Sequence, residues 1–242
     1  MDRLTRHELK HDEFRDGVER AEQFLKERAS EILTVGLLVI AVAGLALGLK
    51  LYVDRQEAGA NEQLSEALRT FRAYVGAPTP GTLGADAPSF PTAEAKYKKA
   101  QEQFSAIVQK FHYPPRPKAV SIAQYHQGLC QSFLGNHAGA IETLREASRA
   151  SDPNLASLAG FALAGELSLT GKTAEAANLY QHLADHPTLA VPAATALIAL
   201  ADTYRASQPA RARQIYQRVS KEFGADASVA AELKQQIDSL PK

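Results

Sequence analysis

Three stretches of the chain superpose without a gap: "GNHAGAIETLREA" (Gly135–Ala147), "GKTAEAANLYQHL" (Gly171–Leu183) and "SQPARARQIYQRV" (Ser207–Val219). Their alanines Ala140, Ala176 and Ala212 stand thirty-six residues apart. In the same register Gly135 matches Gly171, Leu144 matches Tyr180 and Tyr216, and Ala147 matches Leu183 and Val219. Self-similarity at a fixed period of this size predicts a repeat architecture. Each block follows an apolar segment with helical spacing: "SIAQYHQGLCQSFL", "SLAGFALAGELSL" and "AATALIALADTYR". The predicted unit is therefore helix, short turn, helix. A small residue stands where two helices touch, and a larger one fills the space beside it.

With Gly128 and Ala164 small in the first helix, Gly135 and Gly171 at the turn, Ala140, Ala176 and Ala212 in the second helix and Pro153 and Pro187 near the exit, the chain resembles the tetratricopeptide repeat family. The third unit departs from that pattern. Strict register puts Leu200 at the small position with Ala201 one residue late, and Ser207 and Gln208 replace the turn glycine. A turn shortened by one residue would bring Ala201 and Tyr204 back onto it. The resemblance implies an all-α solenoid in which the first helix of each unit lines a concave groove. Carried over residue by residue, the peptide-binding groove is Ile122, Tyr125, Leu129 and Phe133, then Leu158, Phe161 and Leu169, then Leu197, Tyr204 and Arg205. It is apolar and aromatic, with Arg205 its single cation, so an apolar peptide or helix is the ligand it implies.

Outward from the three repeats of residues 112–224, a degenerate first unit is expected over 54–111. "NEQLSEALRTFRAYV" and "EAKYKKAQEQFSAIVQKF" supply its helices, and a loop over 76–93 with four prolines and three glycines separates them. At the other end "ADASVAAELKQQIDSL" presents Val229, Leu233, Ile237 and Leu240 as a cap helix within residues 225–242. Such a helix closes an open solenoid.

"EILTVGLLVIAVAGLALGLKLYVDR" (Glu31–Arg55) decides where the array works. From Ile32 to Leu49 eighteen residues carry no charge, and Thr34 is the only polar side chain. Residues 32–53 span roughly 33 Å as a helix, about the thickness of a bilayer's hydrocarbon. A cleaved signal has a short basic start and a shorter apolar core. Here thirty-one residues precede the run with nine acids among them, and Ala60 leads straight into a patterned helix. An uncleaved single transmembrane helix is expected. Arg20, Lys26 and Arg28 lie in the fifteen residues before it and only Arg55 in the fifteen after. The positive-inside rule then predicts a cytoplasmic N-terminus and a periplasmic repeat domain, in a bacterial inner membrane. Gly36, Gly44 and Gly48 share one face, which suits close membrane-helix packing. Residues 1–31, with Phe14, Val18, Ala21 and Leu25 on one seam, read as a cytoplasmic amphipathic segment.

The chemistry of an enzyme is missing from these 242 residues. Lys plus Arg equals Asp plus Glu at 27 each, so no overall field points to nucleic acid. One cysteine, Cys130, makes neither a disulfide framework nor a cysteine zinc cluster. "GELSLTGKT" (Gly165–Thr173) has five residues, not four, between its glycine and Gly-Lys and falls at a repeat turn, so it is not a phosphate loop. His182, Asp185 and His186 are a weak metal cluster, and Cys130 with His126 has nothing to orient it as a nucleophile pair. No catalytic residue, metal, cofactor or small-molecule substrate is expected; the partners are proteins and a membrane.

In architecture the chain also resembles the family of membrane-anchored ancillary subunits of the bacterial SecYEG translocon. That resemblance implies a protein–protein interaction subunit whose repeats meet translocating chains or periplasmic chaperones. The alternative is a scaffold for another envelope complex, such as one of cell division or cytochrome assembly.

Overall fold

The structure, a computed structural model, describes residue 22 and residues 28–76, 88–112, 114, 116–224 and 227–240. The amphipathic seam expected before the apolar run lies almost wholly outside these residues, as does most of the Pro/Gly-rich loop. The chain is all-α apart from one two-residue strand pair and divides into two compact units between Arg55 and Gln56.

In the first unit, α1 (Ala29–Phe71) carries the apolar run. It is long and apolar enough to cross a membrane, and none of its most apolar window is buried inside the protein. Leu45, for instance, is 75% exposed. The polar Thr34 does not interrupt it, because its hydroxyl donates to the carbonyls of Ser30 (2.7 Å) and Glu31 (2.9 Å) within the helix itself. A Cβ placed on Gly36, Gly44 or Gly48 would meet nothing within 4 Å among the described residues.

The second unit begins with the last part of α1, from Gln56. Then come β1 (Tyr74–Val75), β2 (Ser89–Phe90) and α2 (Ala93–Lys110). The two strands pair in parallel, Tyr74 beside Ser89 and Val75 beside Phe90, a small departure from the purely helical expectation. They bring Gly76 and Pro88 to one place in the fold, the Tyr74 N–H bonding the Pro88 carbonyl at 3.2 Å. Thr92 caps α2 by accepting from the N–H of Ala95 at 3.1 Å. Ala60, Leu64 and Ala67 of α1 meet Ala100, Phe104 and Ile107 of α2 in one buried cluster, which continues through Ala119, Val120, Ala123 and Cys130.

Six helices follow as three pairs: α3 (Lys118–Phe133) with α4 (His137–Ala147), α5 (Pro153–Leu169) with α6 (Thr173–Asp185), and α7 (Ala193–Tyr204) with α8 (Pro209–Phe223). A terminal helix α9 (Ala227–Asp238) packs on α8. Each helix packs against the next, and α3 also touches α5, so the pairs stack as a solenoid. The second helices begin at His137, Thr173 and Pro209, the same thirty-six-residue step as the sequence motif. Their core is a ladder of small residues facing large ones. Ala140, Ala176 and Ala212 are fully buried, and Leu144, Tyr180 and Tyr216 fill the space above them. Leu233 and Leu240 close the far end of the same core, with Ile237 packed on it.

The turns follow from local chemistry. Gly135 (φ 77°) and Gly171 (φ 78°) adopt the left-handed conformation that a side chain disfavours. Asn136 then caps α4, accepting from Gly139 N–H at 3.1 Å. At the third turn Ser207 and Gln208 have ordinary negative φ. That turn is not shortened: it runs over 205–208, one residue more than the turns at 134–136 and 170–172. The chain reverses there by a Gln208 N–H bond to the Tyr204 carbonyl (2.8 Å), with Pro209 starting α8. Leu200 and Ala201 are both buried beside it. Asp152 caps α5 with two bonds, to the N–H groups of Asn154 (2.8 Å) and Leu155 (3.0 Å), and Pro153 occupies the first helical position.

Candidate functional site: the first helices of the repeats

The helices α3, α5 and α7 carry the positions assigned to the groove, and their composition sets its character. Lys118, Glu166 and Asp202 are the only Lys, Arg, Asp or Glu among their residues. Two of the three are engaged by other side chains, Glu166 inside the fold and Asp202 at its surface. Glu166 is buried, accepts from the Ser132 hydroxyl at 2.5 Å and lies 2.8 Å from His137 Nδ1. It thereby ties the end of α3 and the start of α4 to α5. A buried carboxylate persists only when its lone pairs are so occupied. Asp202 accepts from the buried Tyr216 hydroxyl and sits 3.6 Å from the Arg205 guanidinium. Burial raises the Tyr216 hydroxyl above its usual range, with the Asp202 bond and charge acting in the same direction.

The ten predicted positions separate into three groups. Phe133 and Leu169, the last residues of α3 and α5, are 58% and 73% exposed. Ile122, Tyr125, Leu129, Leu158 and Phe161 are half-buried along the same two helices. Ile122 and Leu158 meet in a recess of about 570 Å³ between the N-terminal ends of α3 and α5, with Lys118, Ser121 and Leu155 in its wall. Phe161 leans edge-on against Tyr180, ring centres 5.2 Å apart. Burial pushes the Tyr180 hydroxyl up to about 12, helped by the charge of Asp202.

The third unit is different. Leu197 and Tyr204 are 2% and 6% exposed and belong to the core. Arg205 is engaged by the terminal helix region, donating to Gln236 Oε1 (2.6 Å) and to the Ser239 hydroxyl (3.0 Å). At Arg205 the chain's own terminal helix region occupies the place that the register leaves to a ligand. The Arg211 guanidinium stacks over the Tyr204 ring at 4.3 Å and covers its remaining edge. Surface available to a partner therefore belongs to units one and two.

Reading by register missed two aromatic residues that extend this surface. Tyr97 of α2 stacks on Phe133 with ring centres 4.3 Å apart and planes at 10°. Phe71 of α1 stands against both, at 5.6 Å and 6.3 Å. Both come from the degenerate unit, where no repeat register exists to assign them. Their aromatic character was the available signal.

Of the groups that would suggest chemistry, Cys130 and His126 are packed into the fold, whereas His182, Asp185 and His186 are exposed. Burial pushes the Cys130 thiol up to about 12, so it carries no thiolate character. His126 is stacked on Phe104 and edged by Phe71, and burial holds it down to about 4. His182 and His186 stack on each other at 4.6 Å, with His186 Nδ1 against the His182 carbonyl and Asp185 accepting from Gln181. Among the described residues no three His, Cys, Asp or Glu side chains gather as a metal site. The segment Gly165–Thr173 is the end of α5, the turn and the first residue of α6.

This geometry defines a class: a helical-repeat body of the kind that presents surface to other proteins. Residues 122–149, which are most of α3 with its turn, α4 and the following two residues, match the tetratricopeptide repeat family. Tetratricopeptide repeats mediate protein–protein contacts, and their helical fold is typically non-catalytic. No curated protein matches the chain significantly.

Proposed function

We propose that the chain is a single-pass, membrane-anchored interaction subunit of the bacterial protein-translocation machinery. In this reading residues 32–53 span the inner membrane with the N-terminus in the cytoplasm. The repeats stand in the periplasm and receive translocating chains or the chaperones that act on them. The observation that carries it is the surface of units one and two: two first helices with almost no ionised side chains, ending in exposed Phe133 and Leu169. An unfolded segment emerging into water offers the apolar side chains that such a surface accepts. The exposed apolar length of α1 supports the anchor, and the charges flanking it support the orientation. Gly36, Gly44 and Gly48 form the face on which a translocon helix would pack.

Photo-crosslinking in cells tests this. A photoreactive residue at Leu169 is expected to capture many nascent chains of different length, and one at Gly44 to capture a membrane helix of the translocon. A single folded partner at Leu169 with no translocon product at Gly44 would replace translocation by a scaffold role in another envelope complex. Protease resistance of the repeats in spheroplasts would reverse the orientation.

A further inference from the structure

The aromatic surface at the start of the array has a charge pattern of its own. Phe71, Tyr97 and Phe133 form a ledge of three rings from three helices, with Phe133 more than half exposed on a stacked partner. Two cations border it. The Lys96 ammonium lies 4.5 Å from the Tyr97 ring centre, and its charge reaches Cys130 on α3, where it opposes the rise of the thiol. Arg72 comes directly after Phe71, and its charge reaches His126, whose ring is 5.0 Å from Phe71.

The neighbouring acids are already taken. On α2, Glu94 pairs with Lys98 at 2.6 Å and Glu102 with Lys99 at 3.6 Å. On α1, Glu66 accepts from Gln103 at 3.2 Å. Among the described residues no carboxylate lies within ion-pair distance of Lys96 or Arg72. His126 behind the rings stays neutral and adds no third charge. The result is a cluster of three rings, Phe133 exposed and Phe71 and Tyr97 half-buried, beside two positive charges that have no carboxylate partner among the described residues. Such a surface favours a ligand that supplies both an aromatic group for the rings and negative charge for the rim.

We propose that this ledge docks a segment in which an aromatic anchor is flanked by carboxylates, the anchor lying on Phe133 and the acids facing Lys96 and Arg72. The inference rests on the partner-binding reading of the repeats and not on the translocon. The ledge differs from the rest of the groove, where α3 and α5 offer apolar contact with little charge. The site would therefore select one acidic–aromatic stretch of a partner and orient the adjoining residues of that partner along α3.

The test uses full-length protein in a neutral detergent and two fluorescent ten-residue peptides. Each carries two phenylalanines, flanked by glutamates in one peptide and by lysines in the other. The glutamate peptide is expected to bind at least about tenfold more tightly, with the preference shrinking as salt rises. Phe133→Ala should weaken it by about tenfold, as loss of an aromatic anchor does. Arg72→Glu with Lys96→Glu should invert the preference between the peptides, which misfolding would not do. Equal binding of both peptides, an unchanged preference after charge reversal, or indifference to Phe133→Ala would each overturn the proposal. So would concentration-dependent self-association abolished by Phe133→Ala, since a second copy would then be the occupant. A failure here with nascent chains still captured from Leu169 leaves the translocation reading intact; the opposite pair of results removes that reading and keeps the ledge.

Discussion

Two helices of this chain are rich in apolar residues and have opposite surroundings. The first half of α1 shows its leucines, valines and Ile40 to the outside, with none of its most apolar window buried among the described residues. In α7, "AATALIALADTY", Ala196, Leu197, Leu200, Ala201 and Tyr204 are all buried between α6 and α8. Length and charge separate the two: α7 is twelve residues and includes Asp202, whereas the uncharged run of α1 is eighteen and its helix forty-three. Small residues also serve different ends. In α7 they let other helices of the same chain approach, while Gly36, Gly44 and Gly48 of α1 meet nothing within 4 Å among the described residues. An apolar helix is a core element when the chain supplies its cover and a demand for an outside solvent when it does not.

Charge insertion is the sharpest way to break that comparison. Leu38→Arg with Leu45→Arg places two cations in the exposed run, each costing about 2.5–3.5 kcal/mol at the centre of a membrane helix. The expected outcome is release of the protein from carbonate-washed membranes with the melting of the repeats unchanged; retention in the pellet would deny the anchor. The complementary change, Leu200→Ala, is expected to leave membrane attachment alone. It should destabilise the repeats by about 2–5 kcal/mol, seen as a lower denaturant midpoint.

Gly128→Ala probes the small-residue rule inside the core. A Cβ there would lie 2.7 Å from Cγ of Leu144, a fully buried side chain with little room to yield. Overpacking of about 1–3 kcal/mol outweighs the roughly 1 kcal/mol that alanine gains over glycine in a helix, so the midpoint should fall. A midpoint that rises would mean Leu144 repacks freely. The smallest effect is on acid stability. Burial holds His126 down to about 4 in the folded chain, so between its ordinary value and about 4 the unfolded chain binds a proton that the folded chain does not. Stability should therefore fall as pH drops through that window, and His126→Phe should flatten the slope in a series of melts. An equal slope in both proteins would assign the acid sensitivity elsewhere.

Much of this was legible in the residues themselves. The thirty-six-residue step and the alanine positions follow from contacts made in every unit, so each copy repeats the same signal, and the turn glycines repeat it in two of the three. The uncharged run is equally plain, because a bilayer places its demand on consecutive residues. The third unit was harder to read, since Leu197, Tyr204 and Arg205 are governed by α8 and by the terminal helix, neither of which a first-helix register contains. Glu166 is the lone acid in "GFALAGELSL", but its partners Ser132 and His137 are thirty-four and twenty-nine residues away, so its role is not visible in the segment itself. The aromatic ledge joins three helices with no shared period, and such a meeting appears only once the chain is folded.

The equal step between the starts of α4, α6 and α8 has a practical meaning. Residues 137–172 leave the chain where they entered it, at the first turn of a second helix, so the segment behaves as a cassette. A copy spliced in after Lys172 would find a like neighbour on each side and lengthen the array by one step. Such a splice leaves α9 where it is, with its contacts to Arg205 and to the core of the last repeat unchanged.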